Sequence, residues 1–268
     1  MKTRAITGLF FVIVMLASVL CGHYVFDIFY LLLALFCLYE FYGLVIKSGQ
    51  APNIIAGLFN GAYIYAIFAL IVYTRAIHPL LFLLPITLSV IFIHELYKKS
   101  AAPFNNIAFT FLGLIFTVIP FTFFHSLAYV NGNFNFHIPL AFLIMLWAND
   151  TGAYLTGMQF GRIKLFERHS PKKTWEGFIG GILVSAIAAY ILSIYYVELN
   201  WKSWIFMAVL IGGFGTMGDL VESMFKRSIN VKDSGGILPG HGGLLDRFDG
   251  LFIAAPIVYA YLYLITNY

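Results

Sequence analysis

The chain has 268 residues, of which 61% are hydrophobic and only 10% are charged. An ordinary soluble domain carries about 25% charged residues, and the mean hydropathy here is +0.87, so a soluble globule is excluded. Disorder is excluded too, since it needs low hydrophobicity and high charge, and the net charge of +4 comes without the basic, aromatic-interleaved stripe of a nucleic-acid binder.

A membrane-spanning helix needs about 20 mostly apolar residues. Nine stretches qualify, near 5–22, 24–46, 54–74, 79–97, 105–130, 138–160, 175–197, 203–225 and 248–266. The expected fold is therefore all-α, a polytopic membrane helix bundle forming one domain over 1–268. In the first stretch, Lys2 and Arg4 precede an apolar run that ends at Cys21. The Ser18-Val19-Leu20 before it lacks the small-residue pattern of a signal cleavage site, so a retained helix is expected. Cys21 and Cys37 both sit in apolar runs and suggest neither a disulfide framework nor a metal site.

Loop charge sets the orientation. With the N-terminus in the cytoplasm, that side collects Lys2, Arg4, Lys47, Lys98, Lys99, Arg162, Lys164, Arg168, Lys172, Lys173, Lys226, Arg227, Lys232 and Arg247. The other side holds only Arg75 and Lys202, which leaves 14 of the 16 basic residues inside. The positive-inside rule then gives an inner N-terminus and an outer C-terminus. Only the loops near 161–174 and 226–247 are long, and both face the cytoplasm in this arrangement. The short chain without tails suggests a bacterial inner membrane.

The twelve acids are uneven: nine of them, from Asp150 to Asp249, lie in the second half. Residues 1–135 are expected to be mainly anchor helices, and 136–268 the catalytic helices and loops. An acid inside a span is costly and by default a functional candidate. Asp219, Glu222 and Ser223 stand at i, i+3 and i+4, on one helix face. Asp246 and Asp249 are also three apart. Carboxylate oxygens suit Mg²⁺, which usually takes one or two carboxylates together with substrate phosphates. No histidine pair has zinc spacing.

Beyond Lys226-Arg227 come Lys232-Asp233, then Ser234-Gly235-Gly236 and Pro239-Gly240-His241-Gly242-Gly243. Glycines let backbone N–H groups close on an anion. Acids of metal-binding type, cations and such a loop together suit a polyphosphate. In Ser170-Pro171-Lys172-Lys173-Thr174-Trp175-Glu176-Gly177, the bland alternative is a helix cap, two positive-inside lysines and an interfacial Trp. The functional alternative has both lysines reaching a phosphate.

The run Ser223-Met224-Phe225-Lys226-Arg227, then Lys232-Asp233, then Pro239 to Asp249 closely resembles the signature of the phosphatidate cytidylyltransferase (CDP-diacylglycerol synthase) family. Asn149-Asp150-Thr151-Gly152-Ala153-Tyr154 and the Ser170–Gly177 segment resemble that family's upstream motifs. The resemblance implies a membrane enzyme that makes CDP-diacylglycerol and pyrophosphate from phosphatidate and CTP with Mg²⁺. It implies metal acids at Asp219, Asp246 and Asp249, and reaction-centre roles for Ser223, Lys226, Asp219 and Asp246. It also implies substrate contacts at Asp150, Lys172, Lys173, Arg227, Lys232, Asp233, His241, Gly242, Gly243 and Arg247. A second cation and a homodimer are left open, as is the role of His241: general acid, base contact or loop residue. The rival readings are a CTP-dependent polyprenol kinase, an ion- or proton-coupled transporter and a non-catalytic lipid-binding scaffold.

Overall fold

The computed structural model describes residues 2–231, 233–235 and 242–267, with backbone alone at 2–5 and 267. Two predicted site residues, Lys232 and His241, lie outside the described residues. The bundle begins with α1 (Lys2–Leu20), α2 (His23–Lys47) and α3 (Ile54–Thr74). A 3₁₀ turn at Pro79–Leu83 runs into α4 (Leu84–Tyr97). Next, α5 (Pro103–Gly113), a π-helical segment (Leu114–Val118) and α6 (Ile119–Leu127) form one rod. The second half has α7 (His137–Phe160), α8 (Trp175–Tyr195), α9 (Trp201–Ser228) and α10 (Leu245–Asn267). Among the described residues, eight helical stretches are long and apolar enough to cross a membrane. The apolar part of α1 is shorter, Ile6–Leu20.

Helix ends follow local chemistry. Pro79 and Pro103 open their segments, where a missing N–H costs nothing. Thr174 caps α8 by accepting from the Gly177 N–H at 3.2 Å, and Asn200 caps α9 by accepting from Ser203 at 2.9 Å. The π segment lies just ahead of Pro120. Proline breaks the regular i→i−4 ladder, so the wider helix there has a local cause.

The largest departure from the sequence-based expectation is between α7 and α8. What looked like a plain loop is a hairpin, β1 (Lys164–Phe166) pairing antiparallel with β2 (Ser170–Thr174). The strands are too short for an alternating pattern to show. At its base, the Ile163 N–H donates to Glu176 Oε1 at 3.2 Å, and the Trp175 N–H donates to the Ile163 carbonyl at 2.9 Å.

The core is aromatic. Phe26, Tyr30, Phe121, Phe124, Phe142 and Phe248, from α2, α6, α7 and α10, are all buried. Tyr30 and Phe124 lie 4.8 Å apart, and Phe121 and Phe248 5.4 Å apart. The outer surface stays apolar, with Ile55, Leu96 and Phe104 exposed, as a lipid-facing surface requires. Lipid gives helices little hydrophobic reason to associate, so close packing over small residues matters more. The last four helices use it heavily. A Cβ at Gly180 of α8 would stand 2.2 Å from Thr156 Oγ1 of α7, and one at Gly218 of α9 would stand 2.3 Å from the Asp249 carbonyl of α10. These approaches bring the candidate site residues of separate helices together.

Candidate active site

The end of the bundle that carries the hairpin holds most of the acids. Between α7, the hairpin, α8 and α9 lies a cavity of about 370 Å³. Its polar lining includes Asp150, Lys172, Lys173 and Asp219; its apolar lining includes Tyr154, Met158, Leu165 and Phe178. Tyr154 and Met158 are strongly exposed, so the apolar wall opens to the lipid-facing side of the bundle.

Asp219 is held from two sides. Lys173 Nζ lies 2.6 Å from its Oδ2, and Ser223 Oγ donates to its Oδ1 at 3.2 Å. The shared face expected of residues 219 and 223 is therefore present. Asp249 projects from the next helix, its backbone pressed against Gly218. Asp219, Glu222 and Asp150 all act on the Asp249 carboxyl through space. Asp150 in turn feels Asp219, with Lys173 and Arg247 as its nearby cations. Carboxylates from three helices thus act on one another through space.

A second cluster lies beside the first. Lys226 Nζ donates to Glu222 Oε2 at 2.7 Å and to Asp246 Oδ1 at 2.6 Å. Asp246 also accepts the Ser234 N–H at 2.9 Å and the Gly243 N–H at 2.8 Å. Lys226 is buried between these acids and is not a free surface cation. Among the described residues, the buried Glu222 Oε1 has no hydrogen-bond partner. Gly242 adopts φ +84°, and a Cβ there would stand 2.6 Å from Asp246 Oδ2. Only glycine meets both demands.

The structure gathers Asp150, Lys172, Lys173 and Asp219 around the cavity, ties Ser223 to Asp219, sets Asp249 within electrostatic reach of Asp219, and places Lys226, Asp246, Gly242 and Gly243 in the adjoining cluster. Arg227 and Asp233 are exposed, and Arg227 Nη1 donates to the Val231 carbonyl at 3.0 Å. Arg247 is exposed as well, near Asp150. Asp246 bonds to Lys226, while Asp249 Oδ1 accepts the Gly250 N–H at 2.6 Å and its carboxyl lies within electrostatic reach of Asp219. Among the described residues, no three His, Cys, Asp or Glu side chains form a ready-made metal cage. The donor set nonetheless fits a hard divalent cation in its chemistry: carboxylate oxygens in mutual repulsion, too few for a closed cage but enough for an ion that shares its sphere with phosphates.

Sequence reasoning met Ser234 and Asn149 only as positions within motifs, and it gave no role to them or to Glu40. Ser234 is tied to Asp246 by its N–H, and Asn149 borders the cavity with its Oδ1 lacking a partner among the described residues. Glu40 comes from α2, in the half expected to be anchor, and reaches Leu245 at the start of α10.

Comparison with known proteins identifies the family. The chain is 35% identical over 267 residues to a phosphatidate cytidylyltransferase of Staphylococcus aureus, covering 96% of this chain and 97% of that protein. It is 34% identical over 265 residues to the phosphatidate cytidylyltransferase of Staphylococcus haemolyticus, and 34% over 270 residues to that of Staphylococcus epidermidis, with the same coverage. The sequence profile of the cytidylyltransferase family matches residues 2–265, nearly the whole length, and the chain belongs to that family.

Proposed function

We propose that this protein is an integral membrane phosphatidate cytidylyltransferase, which converts phosphatidate and CTP to CDP-diacylglycerol and pyrophosphate. The single observation that carries this reading, beside the family, is the cavity itself. It sets Lys172, Lys173, Asp150 and Asp219 against an apolar wall of Tyr154, Met158, Leu165 and Phe178. Such a space suits a lipid that presents a phosphate to the polar side and keeps its acyl chains in the membrane.

The chemistry asks little of a proton relay. A phosphate monoester has a second pKa of about 6, so the nucleophile is already mostly ionised near neutral pH. An oxygen of the phosphatidate phosphate forms a bond to the α-phosphorus of CTP. The bond from that phosphorus to the β-phosphate bridging oxygen breaks, and pyrophosphate leaves with the electron pair. Catalysis is then positioning and charge neutralisation. Lys172 and Lys173 offset the charge of two anions brought close together. The Ser223 hydroxyl orients the Asp219 carboxyl. Lys226 fixes Asp246, which accepts the N–H groups of Ser234 and Gly243 and so shapes both flanks of the glycine-rich segment. Asp219 and Asp249 would hold Mg²⁺, while Asp246, expected from the sequence as a third ligand, is engaged by Lys226 and two backbone N–H groups in the adjoining cluster. When bound, the ion would supply positive charge to the triphosphate. The charge asymmetry of the loops supports a site facing the cytoplasm, and the bacterial relatives support the inner membrane.

The test is turnover by purified protein in detergent with phosphatidate, Mg²⁺ and CTP labelled in the α-phosphate, with and without EDTA. The expected product is labelled CDP-diacylglycerol whose formation EDTA stops. No product from a folded preparation, or transfer of the γ-phosphate of CTP to a prenol, overturns the reading.

A further inference from the structure

We infer that Glu40, on α2 in the anchor half of the chain, is a positioning residue for the transfer reaction: it clamps the two feet of the glycine-rich segment together. The inference rests on the cytidylyltransferase reading for its functional meaning, though the clamp itself is a matter of geometry. Glu40 is 7% exposed, among apolar neighbours on a membrane helix. A carboxyl group there is expensive unless it is used.

Glu40 Oε2 accepts from both sides of the segment. The Ser234 hydroxyl donates to it at 3.3 Å from the entry side, and the Leu245 N–H donates at 2.8 Å from the exit side. Leu245 is the first residue of α10, so its N–H has no partner within the helix. The group thus caps a helix from 205 residues away.

The glycines record the same contact. A Cβ at Gly235 would stand 2.4 Å from Glu40 Oε1, and one at Gly243 would stand 2.5 Å from Glu40 Oε2. The Gly235 Cβ would also lie 3.5 Å from the Gly243 Cα, so the two feet touch. Gly235 and Gly243 leave room for the acid, and the acid fills the space their missing side chains provide.

The clamp also joins the catalytic cluster. Ser234 gives its hydroxyl to Glu40 and its N–H to Asp246, and Asp246 accepts from Lys226, which donates to Glu222. One continuous chain of polar contacts therefore runs from α2 through the loop and α10 to α9. One residue along from Glu40, the Phe41 ring stacks on Phe225 of α9 at 4.9 Å and 17°. That contact seats α2 against the helix that carries Asp219 and Lys226. Glu40 bonds to Ser234 and Leu245, so it acts through the two ends of the segment it holds.

The test is a double-mutant cycle between Glu40→Ala and Gly235→Ala, with steady-state kinetics and hydrogen exchange on the purified full chain. Glu40→Ala is expected to lower kcat/KM for CTP tenfold or more and to leave KM for phosphatidate within twofold. Glu40→Gln, which still offers an acceptor oxygen, is expected to restore most of that loss. Gly235→Ala should cost a similar factor alone and add little in the Glu40→Ala background, because its clash partner is gone. Exchange of the Leu245 amide should speed up tenfold or more in Glu40→Ala, with peptides from α3 and α4 unchanged. Additive losses in the cycle, equal rises in both KM values, or an unchanged Leu245 amide would each overturn the inference. An inactive but folded wild type would instead sink the cytidylyltransferase reading and with it the catalytic meaning of the clamp; the Leu245 exchange would still decide the clamp's geometry.

Discussion

The two ends of the bundle treat their acids in opposite ways. At the end remote from the hairpin, Asp27 accepts from His125 Nε2 at 2.7 Å and from the Tyr129 hydroxyl at 3.1 Å. Glu198, in the same region, is hydrogen-bonded to Asn135 Nδ2 at 2.8 Å and to His137 Nδ1. Among the described residues, the hydrogen-bond partners of these carboxyls are neutral or imidazole donors. At the hairpin end, Asp150, Asp219, Glu222 and Asp249 lie within electrostatic reach of one another, and Lys173 and Lys226 are drawn in among the acids. A lone acid with local donors is a structural solution. A crowd of acids beside a cavity is costly in a membrane bundle, and a bound cation would offset their repulsion.

The largest expected effect falls on the crowded end. Asp219→Ala and Asp249→Ala each lower turnover at least ~10³-fold, a size consistent with losing charge stabilisation at the reacting phosphates, while the protein stays monodisperse on size exclusion. Wild-type-like CDP-diacylglycerol formation in either variant would remove that acid from the site.

Next comes stability. Lys226→Ala strands Glu222 and Asp246 in a buried setting, and breaking such a pair from one side costs about 3–5 kcal/mol. A large drop in melting temperature in detergent is the expected readout. Glu222→Gln, which removes one charge and keeps the shape, should cost much less. Equal losses in the two variants would break the picture of a lysine that compensates two acids.

Smaller still is Gly218→Ala. Its Cβ would meet the Asp249 carbonyl at 2.3 Å and push α9 from α10. Overpacking of this kind costs about 1–3 kcal/mol, and here it also shifts Asp249 relative to Asp219. Thermal unfolding and turnover should both decline; a change in neither would mean that the helices separate there without cost.

The smallest effect belongs to the remote end and is seen in acid. Burial pushes the Glu198 carboxyl up, but hydrogen bonds from Asn135 and His137 outweigh it and hold the group below its ordinary value of 4.5. A carboxyl depressed in the folded state adds stability above its unfolded pKa, and that stability is lost as pH falls through the folded value. Glu198→Gln should therefore show a smaller fall in melting temperature between pH 7 and pH 4, by about a degree or two for a small surface term. Its turnover at neutral pH should match wild type. An undiminished fall would assign the acid sensitivity elsewhere.

Much of this was legible in the sequence because a bilayer fixes the length of an apolar helix, and the expected stretches match the helices to within a few residues. The i, i+4 spacing of Asp219 and Ser223 predicted their contact for the same reason, since helix periodicity carries it. Asp246 and Asp249 show where spacing runs out. Three residues apart, they join different clusters, because α10 starts at Leu245. Asp246 therefore sits in the first turn, receiving loop N–H groups, while Asp249 faces Gly218 on α9. Glu40 was not legible at all: no local pattern connects it to Ser234, 194 residues away. The hairpin escaped because its strands, three and five residues long, are too short for periodicity to register.

The contrast between the ends is tested most directly by assaying Asp219→Ala and Asp27→Asn side by side, as purified proteins, for CDP-diacylglycerol formation from phosphatidate and CTP. Asp27→Asn keeps an oxygen to accept from His125 and Tyr129 and should retain wild-type turnover, while Asp219→Ala should lose it. Activity retained in Asp219→Ala and lost in Asp27→Asn would put the chemistry at the wrong end of the bundle and contradict the account.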